Sequence, residues 1–240
     1  MNRELYLDLD KLEDRHFWFK GRREIILSVL KKYAPLERSS NFKVLELGCG
    51  TGGNLVFFEK YFPQICGSEI NDLAIEIAES KTTRPVKKGE LPNGLEYDEK
   101  FDFIFLFDVL EHVEEERESL VAIKELLKKG GKAVITVPAH QFLWSQHDVD
   151  HMHYRRYTKK TLMEVTSLAG YHVNYISYFN FFLFPLVFLV RKLGGGENNT
   201  RKMNPVINFI CYVIFSSEKY ILNFFRFPTG VSLISVIENN

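Results

Sequence analysis

The chain has 240 residues, of which 45% are apolar and 26% charged. That is the composition of an ordinary globular protein, and the length suits one α/β domain carrying an insertion. Lys plus Arg (31) equals Asp plus Glu (31), so no overall field draws the chain to DNA or RNA and a nucleic-acid partner is not expected. Cys49, Cys66 and Cys211 cannot all pair within one chain and read as the reduced thiols of a cytoplasmic protein.

The first residues have neither a basic run nor a long apolar one, so no signal peptide is expected. Residues 1–40 read as a helical leader. Phe17, Trp18, Phe19, Ile25, Ile26, Val29 and Leu30 repeat at helical spacing among Arg15, Lys20, Arg22 and Arg23, and Pro35 with the polar run to Asn41 ends the pattern. From 41 to 240 the alternation of strands and helices describes a second unit. Strands are expected at 43–47 and 65–69, briefly at Val86, and at 101–108, 132–137, 172–178 and 231–237. Between them, helices are expected from Gly52, from an Asp72 cap to Ser80, from Glu114–Glu116 through Lys128 and Lys129 to a Gly130 stop, and from a Thr158 cap to Gly170. The 101–108 segment is apolar almost throughout, as a parallel strand covered on both faces must be.

The most informative stretch is VLELGCGTGG at 44–53. An apolar strand leads into a glycine turn and a helix N-terminus, which offers free N–H groups and a positive dipole end to an anionic or polar ligand. Gly48, Gly50 and Gly53 also satisfy the dinucleotide pattern G-x-G-x-x-G. Glu46 tilts the choice, because an acid two positions before the first glycine would repel a pyrophosphate but could hold an ammonium. Glu69, ending the second strand, suits ribose hydroxyls in either ligand.

Together with GSEIND at 67–72, FDFIFLFDVLEHV at 101–113 and LLKKGGKAVITVP at 126–138, this stretch resembles the class I S-adenosylmethionine-dependent methyltransferases, in the order and spacing of that family. The segments at 144–148 and 153–158 look like a bacterial and archaeal subgroup of unassigned substrate. The resemblance implies a Rossmann-like seven-stranded α/β sheet with helices on both faces, and S-adenosylmethionine as cofactor. By resemblance, Gly48, Cys49, Gly50 and Gly52 cradle the methionine and ribose, Glu69 accepts the ribose hydroxyls, and Ile70, Glu90 and Leu91 border adenine. Glu46 and Asp108 face the amino end and the methyl group. The stretch Gly89-Glu90-Leu91-Pro92 is shorter than the family's usual glycine-aspartate segment.

His112 and His147 join Asp108 as candidate catalytic residues, a histidine being the side chain that changes protonation near neutral pH. The cluster His147, Asp148, Asp150, His151 and His153 matches no zinc spacing, so no metal is expected. Arg155 and Arg156 are read either as holding an acceptor anion or as pairing with nearby acids. In the resembled fold the last two strands form a hairpin with a short link. Here about fifty residues separate them, so 179–228 is an apolar helical insertion before the last strand, with a linker at 194–199. It is expected to meet a lipid-like acceptor, a membrane surface or a second copy of the chain. The reading is O-methylation of a small or lipid-like acceptor. An NAD-dependent Rossmann oxidoreductase and a non-catalytic donor-binding subunit are its alternatives.

Overall fold

The computed structural model describes residues 3–192 and 203–240. Seven strands, β1 (Lys43–Leu47), β2 (Gln64–Glu69), β3 (Val86–Lys88), β4 (Phe101–Phe107), β5 (Leu127–Pro138), β6 (His172–Phe179) and β7 (Ser232–Glu238), form one sheet in the order β3-β2-β1-β4-β5-β7-β6. The pairs from β3 to β5 are parallel, and β7 runs antiparallel to both β5 and β6. The glycine turn after β1 leads into α3 (Gly53–Phe58), and α4 (Asp72–Lys81), α5 (Glu116–Leu126) and α7 (Lys159–Leu168) supply further helices packed around the sheet.

Burial explains the strand pattern. In β4 every residue except Asp102 is buried, and Phe58, Phe105 and Phe107 form an aromatic slab with ring centroids 5.2 to 5.6 Å apart. The glycine turn ends in left-handed backbone, with φ 55° at Gly50 and 83° at Gly52. A Cβ on Gly52 would stand 2.9 Å from the Ala78 backbone of α4, whereas one on Gly50 would meet nothing within 4 Å. Only the first of these positions is closed by packing; the second faces open space.

Tertiary contacts move three element boundaries. The helix expected to run to Lys129 stops at Leu126, because Leu127 pairs with Phe101 and the Asn239 side chain caps the carbonyls of Lys124, Leu127 and Lys128, each at 3.3 Å. Gly130, expected as the helix stop, instead turns the chain within β5 at φ 74°. Asn71, not Asp72, caps α4 by accepting from the Ala74 N–H at 3.1 Å. The acidic start of the chain, within the leader read at 1–40, forms α1 (Arg3–Glu13).

Between β6 and β7 lie α8 (Phe184–Lys192) and α9 (Pro205–Ile221); the linker read at 194–199 falls outside the described residues. α9 packs lengthwise on α2 (Phe17–Leu30). Phe215 of α9 is fully buried and stacks on Trp18 at 5.2 Å and on Phe179 at 6.1 Å. Lys219 pairs with Glu24 at 2.7 Å, and Asn208 accepts from the Phe17 N–H at 2.9 Å. The other end of the insertion is fixed by Glu218, whose buried carboxyl accepts the N–H groups of Asn180, Phe181 and Phe182.

Gly21 allows the close approach of α2 and α9, since a Cβ there would lie 2.6 Å from Phe215 Cδ1. In an exposed helix Gly→Ala stabilises by about 1 kcal/mol, whereas overpacking a closed core costs roughly 1–3 kcal/mol. We therefore expect Gly21→Ala to lower the midpoint of thermal unfolding. A raised midpoint would mean that the helices are not in this contact.

Candidate active site

The sheet order reverses direction between β1 and β4, and the carboxyl ends of these strands open onto one crevice. β1 brings Glu46 into it, flanked by Gly67 and Phe105 on the neighbouring strands. The side chain is fully buried. Asn54 donates to its Oε1 at 2.9 Å, while Oε2 has no partner among the described residues. Burial pushes this carboxyl up to about 8 against the opposing pull of the Asn54 hydrogen bond. Buried Arg23 orients Asn54 through Nε at 3.1 Å.

Glu69, at the end of β2, reaches back across the turn. It accepts the N–H of Gly50 at 2.9 Å and those of Ile70 and Asn71 at 3.0 Å. An ionised carboxylate offers about four acceptor positions, so the same group can still accept a hydroxyl. Tyr6 of α1 lies over it, its phenol pushed up to about 12 by burial and then by the Glu69 charge. Ile70 is half exposed, Glu90 is exposed and Leu91 half-buried, so the three expected adenine neighbours stand at an open rim. Cys49 is 3% exposed and its sulfur packs toward Gly67.

Asp108 ends β4 in left-handed backbone, φ 58°. It caps no helix: the 3₁₀ turn that follows, Leu110–His112, has no side-chain cap. Instead Thr136 donates to its Oδ1 at 3.1 Å and Arg22 of α2 forms an ion pair with Oδ2. Arg22 and Arg23 are therefore the leader's contribution to the crevice, while Trp18 packs on the insertion.

Beyond Asp108, Glu111 is fully buried and neither carboxyl oxygen has a partner among the described residues. Burial and then the Asp108 charge push its carboxyl well above the usual range. Burial and neighbouring His153 push His112 down to about 4, which leaves that imidazole neutral and a weaker base than a histidine tuned to pH 7. The His112 and His153 rings meet edge to face at 4.6 Å; His147 stands 3.8 Å from His151 and 6.0 Å from His153.

The histidine-rich segment is organised by Asp148 on α6 (Gln146–Asp150). Arg156 binds it bidentately at 2.7 and 3.0 Å, and His153 Nδ1 lies 2.9 Å away. Against the upward push of burial, the hydrogen bonds from His153 and Arg156 hold this carboxyl well below the usual range. Arg155 pairs with Glu116 at 3.0 Å and donates to the Glu114 carbonyl. Both arginines thus serve internal acids, and neither is held in reserve for an acceptor anion.

Tyr6 and Glu111 were not singled out individually by the sequence pattern, whereas Arg22 and His153 were named there, the one beside Arg23 in the leader and the other in the histidine-rich cluster. The fold brings His153 against the consecutive pair Glu111 and His112.

A crevice at the switch point of such a sheet, with a glycine turn and a strand-end acid, defines a nucleoside-binding α/β protein. A family described as a methyltransferase domain matches residues 17–177, and the chain belongs to it. The cofactor of that family is S-adenosylmethionine. An uncharacterised protein of Methanocaldococcus jannaschii is 34% identical over 131 residues, 52% of this chain and 58% of its own length. A mitochondrial ubiquinone biosynthesis O-methyltransferase of Schizosaccharomyces pombe is 28% identical over 43% of this chain and 40% of its own. The chain thus spans little more than half of the first relative and less than half of the second. Among solved structures, an S-adenosylmethionine-dependent methyltransferase from Archaeoglobus fulgidus superposes with a TM-score of 0.55 at 23% identity, covering 90% of this chain and 94% of that one. A Haloferax volcanii methyltransferase solved with the Trm112 activator gives 0.62 at 16% identity, covering 96% and 93%.

The crevice has what this cofactor needs: open space at Gly50, an unpartnered buried oxygen on Glu46 and the Glu69 carboxylate. Glu46 as the ammonium partner can be tested by counting protons. With a pKa of about 8 in the free protein it is protonated at neutral pH. A nearby ammonium favours the carboxylate and lowers that value. Binding at pH 7 therefore releases protons, and affinity rises with pH up to about 8 and then levels. Calorimetry in buffers of different ionisation enthalpy measures the release, which Glu46→Gln should abolish.

Proposed function

We propose that the protein transfers the methyl group of S-adenosylmethionine to an oxygen atom of a small or lipid-like acceptor. The observation that carries this reading is a cavity of about 330 Å³ lined by Phe142, Leu143, Trp144, Phe188, Arg191 and Lys192. It lies between the loop that leaves the carboxyl end of β5 and helix α8 of the insertion. Its walls are about equally polar and apolar, aromatic and aliphatic side chains facing Lys192 and Arg191, the latter donating to the Leu143 carbonyl at 2.6 Å, a lining that suits a small acceptor with both an apolar body and a polar end. The yeast relative's name, an O-methyltransferase of ubiquinone biosynthesis, supports oxygen as the receiving atom.

When bound, the donor supplies an electrophilic methyl group on a sulfonium; the protein's task is alignment and exclusion of water. In this reading Gly48, Gly50 and Gly52 give backbone approach, Glu46 takes the ammonium, Glu69 the ribose hydroxyls, and Ile70, Glu90 and Leu91 border the adenine. Asp108, His112 and His147 stand on the acceptor side, where a hydroxyl loses its proton. The exposed faces of α8 and α9, with Leu186, Leu189, Val206 and Phe209 each more than half exposed, support contact with a lipid surface. Among the described residues no helix is long and apolar enough to cross a membrane.

Titration calorimetry with S-adenosylmethionine, S-adenosylhomocysteine and NAD should show binding of the first two only. Glu69→Ala should weaken that binding about tenfold, the loss expected for one charged hydrogen-bond partner. Labelled donor and a fractionated lysate should put label into the lipid or small-molecule pool. Phe184→Asp and Phe188→Asp should abolish that labelling and leave donor affinity intact. A stable dimer with no affinity for liposomes, broken by the same substitutions, would replace the lipid reading with an oligomerisation surface.

A further inference from the structure

Glu111, His112 and His153 place a carboxylate oxygen and two imidazole nitrogens within 4.8 Å of one another. The carboxylate is the unusual member. It is fully buried, it sits against Asp108, and neither oxygen is hydrogen-bonded within the described residues. A buried carboxyl left without partners is costly, and the usual remedy is a counter-charge or a metal. The nearby arginines are otherwise engaged: Arg22 pairs with Asp108, and Arg156 with Asp148.

The histidines are arranged as ligands are. His153 Nδ1 is held at 2.9 Å by Asp148, which leaves Nε2 free to coordinate. Asp148 is fixed in turn by Arg156 and by the Ser145 N–H at 2.9 Å, so the ring has a carboxylate orienting it and a second layer orienting the carboxylate. This is the outer-shell pattern found behind metal-bound histidines. The His112 ring lies beside the His151 backbone. Spacing along the chain gives no hint of the trio, because two members lie in the turn after β4 and the third follows α6.

We propose that Glu111, His112 and His153 hold a divalent first-row transition ion, such as zinc, on the acceptor side of the crevice. Two imidazoles and one carboxylate form the donor set of open catalytic sites, and they favour such ions over magnesium or calcium, which take oxygen ligands. Three protein ligands leave room for water or for an acceptor oxygen. The ion's binding requires neither donor nor acceptor, so its test stands apart from the proposed methyl transfer.

The full chain, stripped with chelator, is titrated with Zn²⁺ by calorimetry and with Co²⁺ by visible absorption. One ion per chain is expected, with the absorption of a low-symmetry cobalt site. Glu111→Gln, which preserves shape, and His153→Ala should each weaken Zn²⁺ binding tenfold or more, in line with the loss of a ligand. The double variant His147→Gln/His151→Gln should keep the wild-type stoichiometry. The proposal fails if folded wild-type protein binds no Zn²⁺ at 0.1 mM, a concentration on the order of a weak site's dissociation constant. It also fails if Glu111→Gln binds as wild type, or if the His147/His151 variant alone loses the ion.

Discussion

The burial of carboxyl groups at the carboxyl ends of β1, β2 and β4 is the constraint on which the rest of this structure turns. Glu46, Glu69 and Glu111 are at most 5% exposed, and Asp108 stands beside them. An apolar parallel sheet cannot solvate such groups, so each must find donors or a cation, or remain protonated. Glu69 takes three backbone N–H groups and Asp108 takes Arg22, whereas Glu46 and Glu111 keep oxygens without partners among the described residues. The crevice is thus undersupplied with positive charge. A ligand that carries an ammonium and a sulfonium complements it, and a dinucleotide pyrophosphate does not.

The counter-charges that are present come from outside the sheet. Arg22 and Arg23 lie on α2, and α2 is held by α9 through the Trp18–Phe215–Phe179 stack and the Gly21 contact. The insertion therefore does more than offer an apolar surface. By anchoring α2 it sets where two arginines meet the strand ends, and this couples the packing of the insertion to the electrostatics of the crevice. Tyr6 and Glu13 of α1 close the same edge, with Glu13 and Arg23 crowding the position where a Gly53 Cβ would stand.

Asp148 plays the corresponding part in the segment that follows β5. A fully buried carboxylate with a bidentate arginine, a histidine and a backbone amide is a fixed point, and it holds the 145–156 segment against the turn after β4. Pairs of this kind contribute more to a unique geometry than to stability, because desolvation offsets much of the attraction. Its consequence here is that His153 faces His112 in a defined tautomer.

The sequence by itself determined what rests on local rules. Strand periodicity, the glycine turn, the Thr158 cap and the Glu46 and Glu69 positions follow from φ/ψ limits, burial on two faces and capping, all of which act over a few residues. Even the insertion was legible, as an apolar stretch too long for a hairpin link. The tertiary structure alone decided the rest, because those outcomes depend on contacts between distant segments. Asn239 ended α5 early, Asp148 absorbed Arg156, Arg22 was drawn to Asp108, and Glu111 and His112 were set against His153. Electrostatic partners are chosen by distance in space, and no periodicity along the chain encodes that distance.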